Sequence, residues 1–399
     1  MADETTIARL AALAVELGAN VQEGQIVGVT AEPGHAPLVR AIAEAAYRRG
    51  ARLVDVAYFD PWVRRARIEH APDETLGFVP SWWPERLLGL AAERSASISV
   101  SGSEAAAAVD GLDPVRAGRA RFPTLDEGSR IVSERLLNWT AVPFATRTWA
   151  RQVHPTLDGE AAEARLWEQL VYVCRLDAPD PVAAWRERID ETSRVAAALD
   201  ALRLDALHLE GPGTDLTIGL LPTSKWLNVE FATAYGVRHV PNIPSEEVFT
   251  TPDPERADGV VRATRPLVLQ GMVITDLEVR FEHGRAVEIG SSSGGEALRA
   301  HVAVDDGGSR LGEVALVDRE GRVGRAATTF YNTLLDENAA GHLALGNGFA
   351  FAVDEPERGR INRSASHVDF MVGDNDVAVT GVMPDSRRVP LLRDGTWQV

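Results

Sequence analysis

The 399-residue chain holds a single cysteine, Cys174, so no disulfide can close within it and no cluster of thiolates is available to hold zinc. A reducing compartment suits such a sequence. There is no surplus of positive charge either: 41 Lys and Arg stand against 58 Asp and Glu, a formal net charge of -17. Nucleic acid and anionic membranes both demand a positive face, so neither is an expected partner. An acidic chain is compatible with collecting divalent cations. No apolar run approaches the roughly 20 residues that cross a bilayer. The acidic start, which runs into TTIARLAALAVELG, lacks the basic flank, continuous apolar core and small-residue cleavage site of a secretory signal. A cytoplasmic protein is expected. The first strand-to-helix turn reads TAEPGHAPLV, without the G-x-G-x-x-G fingerprint or a P-loop, which argues against a dinucleotide or nucleoside triphosphate cradle. Internal repeats and low-complexity tracts are missing as well.

What is present is an ordinary globular composition, 45% apolar and 25% charged, over a length that exceeds one hydrophobic core. Two domains are expected. In the first half strands alternate with helices: GQIVGVTA, the helix APLVRAIAEAAYRRGA, RLVDVAYFD, and ASISVSG after a further helix. That order predicts βαβ units around a parallel sheet. Pro181 opens a further helix after the Pro- and Asp-rich DAPDPVAAW. Beyond it the texture changes to strand-like segments such as LDALHLEG, TDLTIGL, KWLNVEF and RLGEVALVD, parted by Gly, Pro and Asp turns. FEHGRAVEI reads as a hairpin, and DENAAGHLAL as the one short helix among these strands. The expected architecture is therefore an α/β N-terminal domain with a parallel sheet, residues 1–195, and a β-rich α+β C-terminal domain that binds metal, residues 196–399.

The candidate chemistry lies in the second half. In SASHVDFMVG, His367 and Asp369 are two apart in a strand and share a face, so an imidazole and a carboxylate can converge on one ion. A strand with one wet face produces the same pattern without a ligand. His342 sits in LLDENAAGHLALG, where Asp336 could cap a helix whose last turn presents the imidazole, or merely sets it against the helix dipole. VPNIPSEEVFTTP holds Glu246 and Glu247 between prolines, either as aimed acids or as surface glutamates. Glu313, in SRLGEVALVD, is a carboxylate within an apolar strand, costly to bury unless paired or bound to metal. Glutamates, histidines and one aspartate without a thiolate suit Zn²⁺, Co²⁺ or Mn²⁺. Five such ligands exceed what one catalytic ion takes. With one carboxylate bridging they suit two ions about 3.5–4 Å apart, which activate a shared water and polarise a carbonyl.

The blocks NIPSEEVFTTP, SRLGEVALV, FYNTLLDENAAGHLALG and NRSASHVDFMVG, with LAVELGANVQEGQIVGV and GPGTDLTIGLL, resemble in order the M29 peptidase family, thermophilic aminopeptidases of the aminopeptidase T and aminopeptidase S type. The resemblance covers essentially the whole chain. It implies a homodimeric, dinuclear aminopeptidase with two divalent ions per chain, Zn, Co or Mn, that hydrolyses N-terminal residues from peptide substrates through a metal-bound hydroxide. Carried over position by position, the metal ligands are Glu247, Glu313, His342, His367 and Asp369, with Glu313 as the expected bridge. Glu246, beside a ligand, is the candidate proton shuttle. Two departures stand out. Similar enzymes carry a tyrosine seven residues after the first ligand histidine, and Phe349 occupies that place here; the segment from His342 to His367 is also short. A phenol can donate to a developing oxyanion and a phenyl ring cannot. Other readings of the same residues are a mononuclear iron dioxygenase that opens an aromatic ring, an amidase for a specialised metabolite, and an inactive binding homologue.

Overall fold

A computed structural model describes residues 3–102, 108, 111–120, 126–269 and 271–399. Met1 and Ala2 of the N-terminal stretch, and Gln270 within the strand-rich half, lie outside the described residues. The chain forms two compact units, residues 1–187 with 230–245, and residues 188–229 with 246–399.

In the first unit β1 (Ile26–Ala31), β2 (Leu53–Tyr58), β3 (Ala96–Ser101) and β4 (Asn138–Pro143) form a wholly parallel sheet in the order β2-β1-β3-β4. Val27 and Val29 are buried on β1. The following helix, Ala36–Arg48, buries Leu38, Val39, Ile42 and Ala46, the stripe its three- and four-residue spacing predicts. Ligands of such sheets sit at the carboxyl ends of the strands where the order reverses, here β1 and β3. At that place His35 is fully buried. Its Nδ1 accepts the Glu32 N–H at 3.2 Å and its Nε2 lies 3.3 Å from the Gly102 carbonyl. A satisfied side chain thus stands where a nucleotide fold would place its glycines. Residues 230–245 add a ribbon of β8 (Phe231–Ala232) and β9 (Arg238–His239), numbered with the other strands in chain order. The helix Pro181–Leu202 opens on its expected proline, with the Asp180 carboxylate accepting the Ala183 N–H at 3.0 Å.

The second unit is built on two antiparallel sheets. The larger runs β15 (Arg285–Gly290), β14 (Glu278–Glu282), β11 (Pro252–Arg262), β6 (Thr214–Leu220), β5 (Ala206–Gly211), β19 (Ala378–Val382), β20 (Arg388–Arg393) and β21 (Thr396–Trp397). The smaller runs β18 (His367–Met371), β17 (His342–Gly346), β16 (Leu311–Val317), β10 (Glu247–Thr250) and β7 (Leu227–Asn228). A ribbon of β12 (Leu267–Leu269) and β13 (Met272–Ile274) stands apart from both. One core joins the sheets: Leu207, Leu209, Leu216 and Ile218 from the larger, Val248, Val314, Leu316, Leu343, Leu345, Val368 and Phe370 from the smaller. The FEHGRAVEI hairpin forms as expected, turning through His283 (φ 49°) and Gly284 (φ 79°). A Cβ on Gly284 would lie 2.0 Å from the Pro254 carbonyl oxygen, so only glycine fits there.

Three local expectations fail. The helix of TLLDENAAGHLALG is confined to Thr333–Asp336, and His342 opens β17 instead of ending a helix. The cause is tertiary: HLALG pairs on both edges, with β16 and with β18, and buries Leu343 and Leu345. DENAAGHLAL is not the one helix among the strands, because Gly295–Val302 forms another that buries Leu298 and Val302, one turn apart. KWLNVEF supplies only the two-residue β7 to the smaller sheet.

Candidate metal centre

Alternation along the smaller sheet sorts its residues into two faces. Val248, Val314, Leu316, Leu343, Leu345, Val368 and Phe370 enter the core, so their alternate neighbours Glu247, Phe249, Glu313, His342, His367 and Asp369 fall on the other face. Directly opposed residues of antiparallel strands share a face. One row is therefore Phe249, Ala315, His342 and Met371; the next is Glu313, Ala344 and Asp369; and Gly346 faces His367. Between the polar groups stand Ala315, Ala344 and Gly346. Ala315 and Ala344 set only a methyl group between the polar groups, and a Cβ on Gly346 would lie 2.2 Å from the Ser366 carbonyl oxygen.

Five sequence-predicted residues converge on that face. His342 Nε2 lies 3.3 Å from Glu247 Oε2 and 4.0 Å from Glu313 Oε1. His367 Nε2 lies 3.3 Å from Glu313 Oε2 and 3.3 Å from Asp369 Oδ1. The donor atoms form two trios, Glu247–Glu313–His342 and Glu313–His367–Asp369, within 4.8 Å of one another in each. Glu313 belongs to both and turns a different oxygen toward each histidine. The other ring nitrogens are fixed by main chain: His342 Nδ1 is 3.0 Å from the Glu337 carbonyl and His367 Nδ1 is 2.8 Å from the Asn347 carbonyl. A carbonyl can only accept, so Nδ1 carries the proton and Nε2 faces the carboxylates, the tautomer that a metal-binding imidazole needs.

One titratable neighbour of the cluster escaped the sequence reading. Glu337 is buried within reach of the cluster's charges, and its carboxyl pKa is raised well above the usual range, first by burial and then by the charges of Asp369, Glu247 and Glu313. Burial alone would lower both imidazoles. The Glu247, Glu313 and Asp369 carboxylates overcome it for His342, and Asp369 with Glu313 carries His367 well above its ordinary value. Four carboxylates facing one buried space need compensating positive charge. Protons on two imidazoles and Glu337 are one source; two divalent cations would balance the four carboxylates and take both Nε2 lone pairs. The donor set thus fits the divalent metal that the sequence implies. The signal for Glu337 was its place in DENAAGH, five residues before the candidate ligand His342, but a short helix was expected there.

Glu246 is not brought to this cluster. It precedes Glu247 and points to the opposite side, where it is almost wholly buried. Arg188 Nε donates to its Oε2 at 2.6 Å, and the Arg322 N–H donates to its Oε1 at 3.0 Å. Its own N–H donates to Asn338 Oδ1 at 2.6 Å. Phe349 does border the cluster: its ring centroid is 5.3 Å from that of His367, 5.3 Å from Phe351 and 5.6 Å from Phe249.

Comparison with known proteins gives the same answer as the sequence blocks. The chain is 41% identical to Aminopeptidase T of Thermus aquaticus over 404 residues, covering 98% of each protein. It is 36% identical to Aminopeptidase 2 of Geobacillus stearothermophilus over 406 residues, covering 99% of this chain and 98% of the relative. The solved structure of wild-type AmpT from Thermus thermophilus superposes with a TM-score of 0.90 at 40% identity, covering 99% of both chains. The thermophilic metalloprotease (M29) family model matches residues 3–397. The chain belongs to this family and is a metallopeptidase.

Proposed function

We propose that this metallopeptidase is an aminopeptidase that works with two divalent ions per chain, Zn²⁺, Co²⁺ or Mn²⁺, held by Glu247, Glu313, His342, His367 and Asp369 with Glu337 as a further carboxylate. The observation that carries the dinuclear reading is Glu313, whose Oε1 faces His342 and whose Oε2 faces His367. Such ions supply a water of lowered pKa and a Lewis acid for the scissile carbonyl. The chain's own groups do the rest. Main-chain carbonyls lock the imidazoles, so the ligand geometry exists before substrate arrives. Divalent ions held there would offer a free α-amine a Lewis acid that the nitrogen of an internal peptide bond cannot use, which suits attack at the N-terminus of a peptide. The proton role expected of Glu246 passes to Glu337, because the Glu246 carboxylate is held by Arg188 while the Glu337 carboxyl is buried within reach of the cluster's charges. With cations supplying the counter-charge, Glu337 would be ionised, take the proton of the attacking water and return it to the leaving amine. Glu246 then acts as a positioning residue for the start of β10. A catalytic domain 196–399 belongs to the same proposal, supported by the placing of all six residues in the second unit. So do a homodimer and a cytoplasmic setting.

Metal analysis of the purified protein, with peptide hydrolysis assayed after Zn²⁺, Co²⁺ or Mn²⁺ is added back to chelated enzyme, tests the reading. Two ions per chain and metal-dependent release of N-terminal residues are expected. One ion per chain, or no release with any metal, would refute it.

A further inference from the structure

We infer that Phe349 and Phe351, backed by the buried Phe249, form the shelf that receives the side chain of the substrate's N-terminal residue, and that this chain selects peptides beginning with an apolar residue. The inference rests on the aminopeptidase reading and adds its substrate class. Phe249 is two residues beyond Glu247 on β10 and so lies on the ligand face. Phe349 packs edge-on against it, with an interplanar angle of 75°, and stacks on Phe351 at 28°. On its remaining side it lies against His367, a ligand whose ring is partly exposed. Three phenyl rings thus lead from one ligand strand to another at the edge of the metal cluster, and Phe349 and Phe351 are only half-buried.

The shelf is fixed in place. The Phe349 N–H donates to Thr251 Oγ1 at 3.0 Å and Thr251 Oγ1 lies 3.4 Å from the Phe349 carbonyl, which clamps the backbone beneath the ring. Thr251 is itself fully buried. With the α-amine and the scissile carbonyl held at the cluster, the first side chain of a peptide would lie at its rim, and that rim is aromatic beside His367. Leucine, methionine or phenylalanine would cover the rings and remove apolar surface from water. Aspartate or glutamate would be desolvated against the rings without a partner.

Two readouts on the metal-loaded enzyme test this. Calorimetry with leucine hydroxamate and aspartate hydroxamate reads binding, and kcat/KM for Leu-Gly, Asp-Gly and Arg-Gly reads turnover. At least 10-fold tighter binding of the leucine probe is expected, with a preference of 10-fold or more for Leu-Gly over both other dipeptides. Phe349→Ser should shrink both ratios toward unity, while Phe349→Leu, which keeps an apolar surface and guards against misfolding, should retain most of them. Equal use of the three dipeptides, a preference for Arg-Gly, or equal losses on all probes in Phe349→Ser would overturn the shelf and leave the aminopeptidase reading standing. Selective hydroxamate binding without turnover of any peptide would do the reverse.

Discussion

Arg188 is the residue whose loss should be felt most widely. It lies on the helix Pro181–Leu202, with its side chain only 7% exposed, and donates to Glu246 Oε2 at 2.6 Å and to Asp318 Oδ2 at 3.1 Å. Both acids are as deeply buried. Burial disfavours the guanidinium, but Glu246 and Asp318 more than restore its charge. At an effective dielectric near 20, contacts of this length are each worth on the order of 5–6 kcal/mol before desolvation is subtracted. Desolvation takes back most of that gain, so the pair contributes little over an apolar replacement, yet deleting one partner strands the other and costs about 3–5 kcal/mol. Arg188→Met leaves two carboxylates buried side by side, with the Trp397 indole N–H at 2.8 Å from Asp318 as a remaining donor. At about 2–4 °C per kcal/mol for a unit of this size, the midpoint of its unfolding should fall by about 6–20 °C. Glu191 supplies the control, since it is 54% exposed and only borders the same guanidinium at 3.2 Å. Glu191→Ala should cost no more than about 1 kcal/mol. Because the Glu246 N–H also holds Asn338, Arg188→Met should lower metal content too, and Arg188→Lys should restore part of both losses. Thermal and chemical unfolding, with metal analysis on the same samples, would settle it. An Arg188→Met loss no larger than that of Glu191→Ala would show that the network does not carry the strand.

Other perturbations separate metal chemistry from packing. Ala344→Leu, between Glu313 and Asp369, should push a bulky side chain between the two carboxylates and weaken metal binding about 10-fold or more in a folded protein, whereas Ala344→Gly should bind metal normally; equal binding by both variants would contradict the row assignment. Phe349→Tyr should raise kcat by about 10- to 100-fold at unchanged metal content, by returning an oxyanion donor to the site, and a fall in steady-state kcat would refute that role. His239 is buried, and desolvation lowers its pKa from 6.5 to about 4. The unfolded chain binds this proton first, so the contribution is intact above pH 6.5 and is lost as pH falls toward 4, about 3 kcal/mol in all. His239→Phe should flatten unfolding free energy over that interval, and an unchanged slope would assign the acid sensitivity elsewhere.

Much of the site was legible because strand alternation is local. His367 and Asp369 share a face by spacing alone, and Glu313 stands out by the cost of placing a carboxylate in an apolar strand. The hairpin at His283 and Gly284 was legible for the same reason, since its turn residues fix the register by themselves. What escaped depends on partners distant in sequence. Nothing near Glu246 announces Arg188, 58 residues away, and that pairing turns it from a candidate acid into a support. Nothing within DENAAGHLAL announces that HLAL is paired on both edges, so a segment of helical composition forms a strand and its histidine becomes a member of a cross-strand row.

That last conversion explains why the centre tolerates so many acids. A sheet face fixes lateral spacing by hydrogen bonding at about 4.7–4.9 Å between strands, close to what two ions and shared ligands need. The opposite face of the same strands is held by Leu343, Leu345, Val368 and Phe370 in the core, so the clustered carboxylates and imidazoles cannot relax apart when their charges repel. The repulsion is instead expressed as raised proton affinity at Glu337 and His367. Metal uptake should therefore release protons, because the cations replace those protons as counter-charges. In weakly buffered solution near neutral pH, loading Zn²⁺ into chelated protein should acidify the medium, and the released protons per ion should fall in Glu337→Gln. A titration with no proton release would mean that the carboxylates are balanced in some other way, and the counter-charge argument for two ions would fail with it.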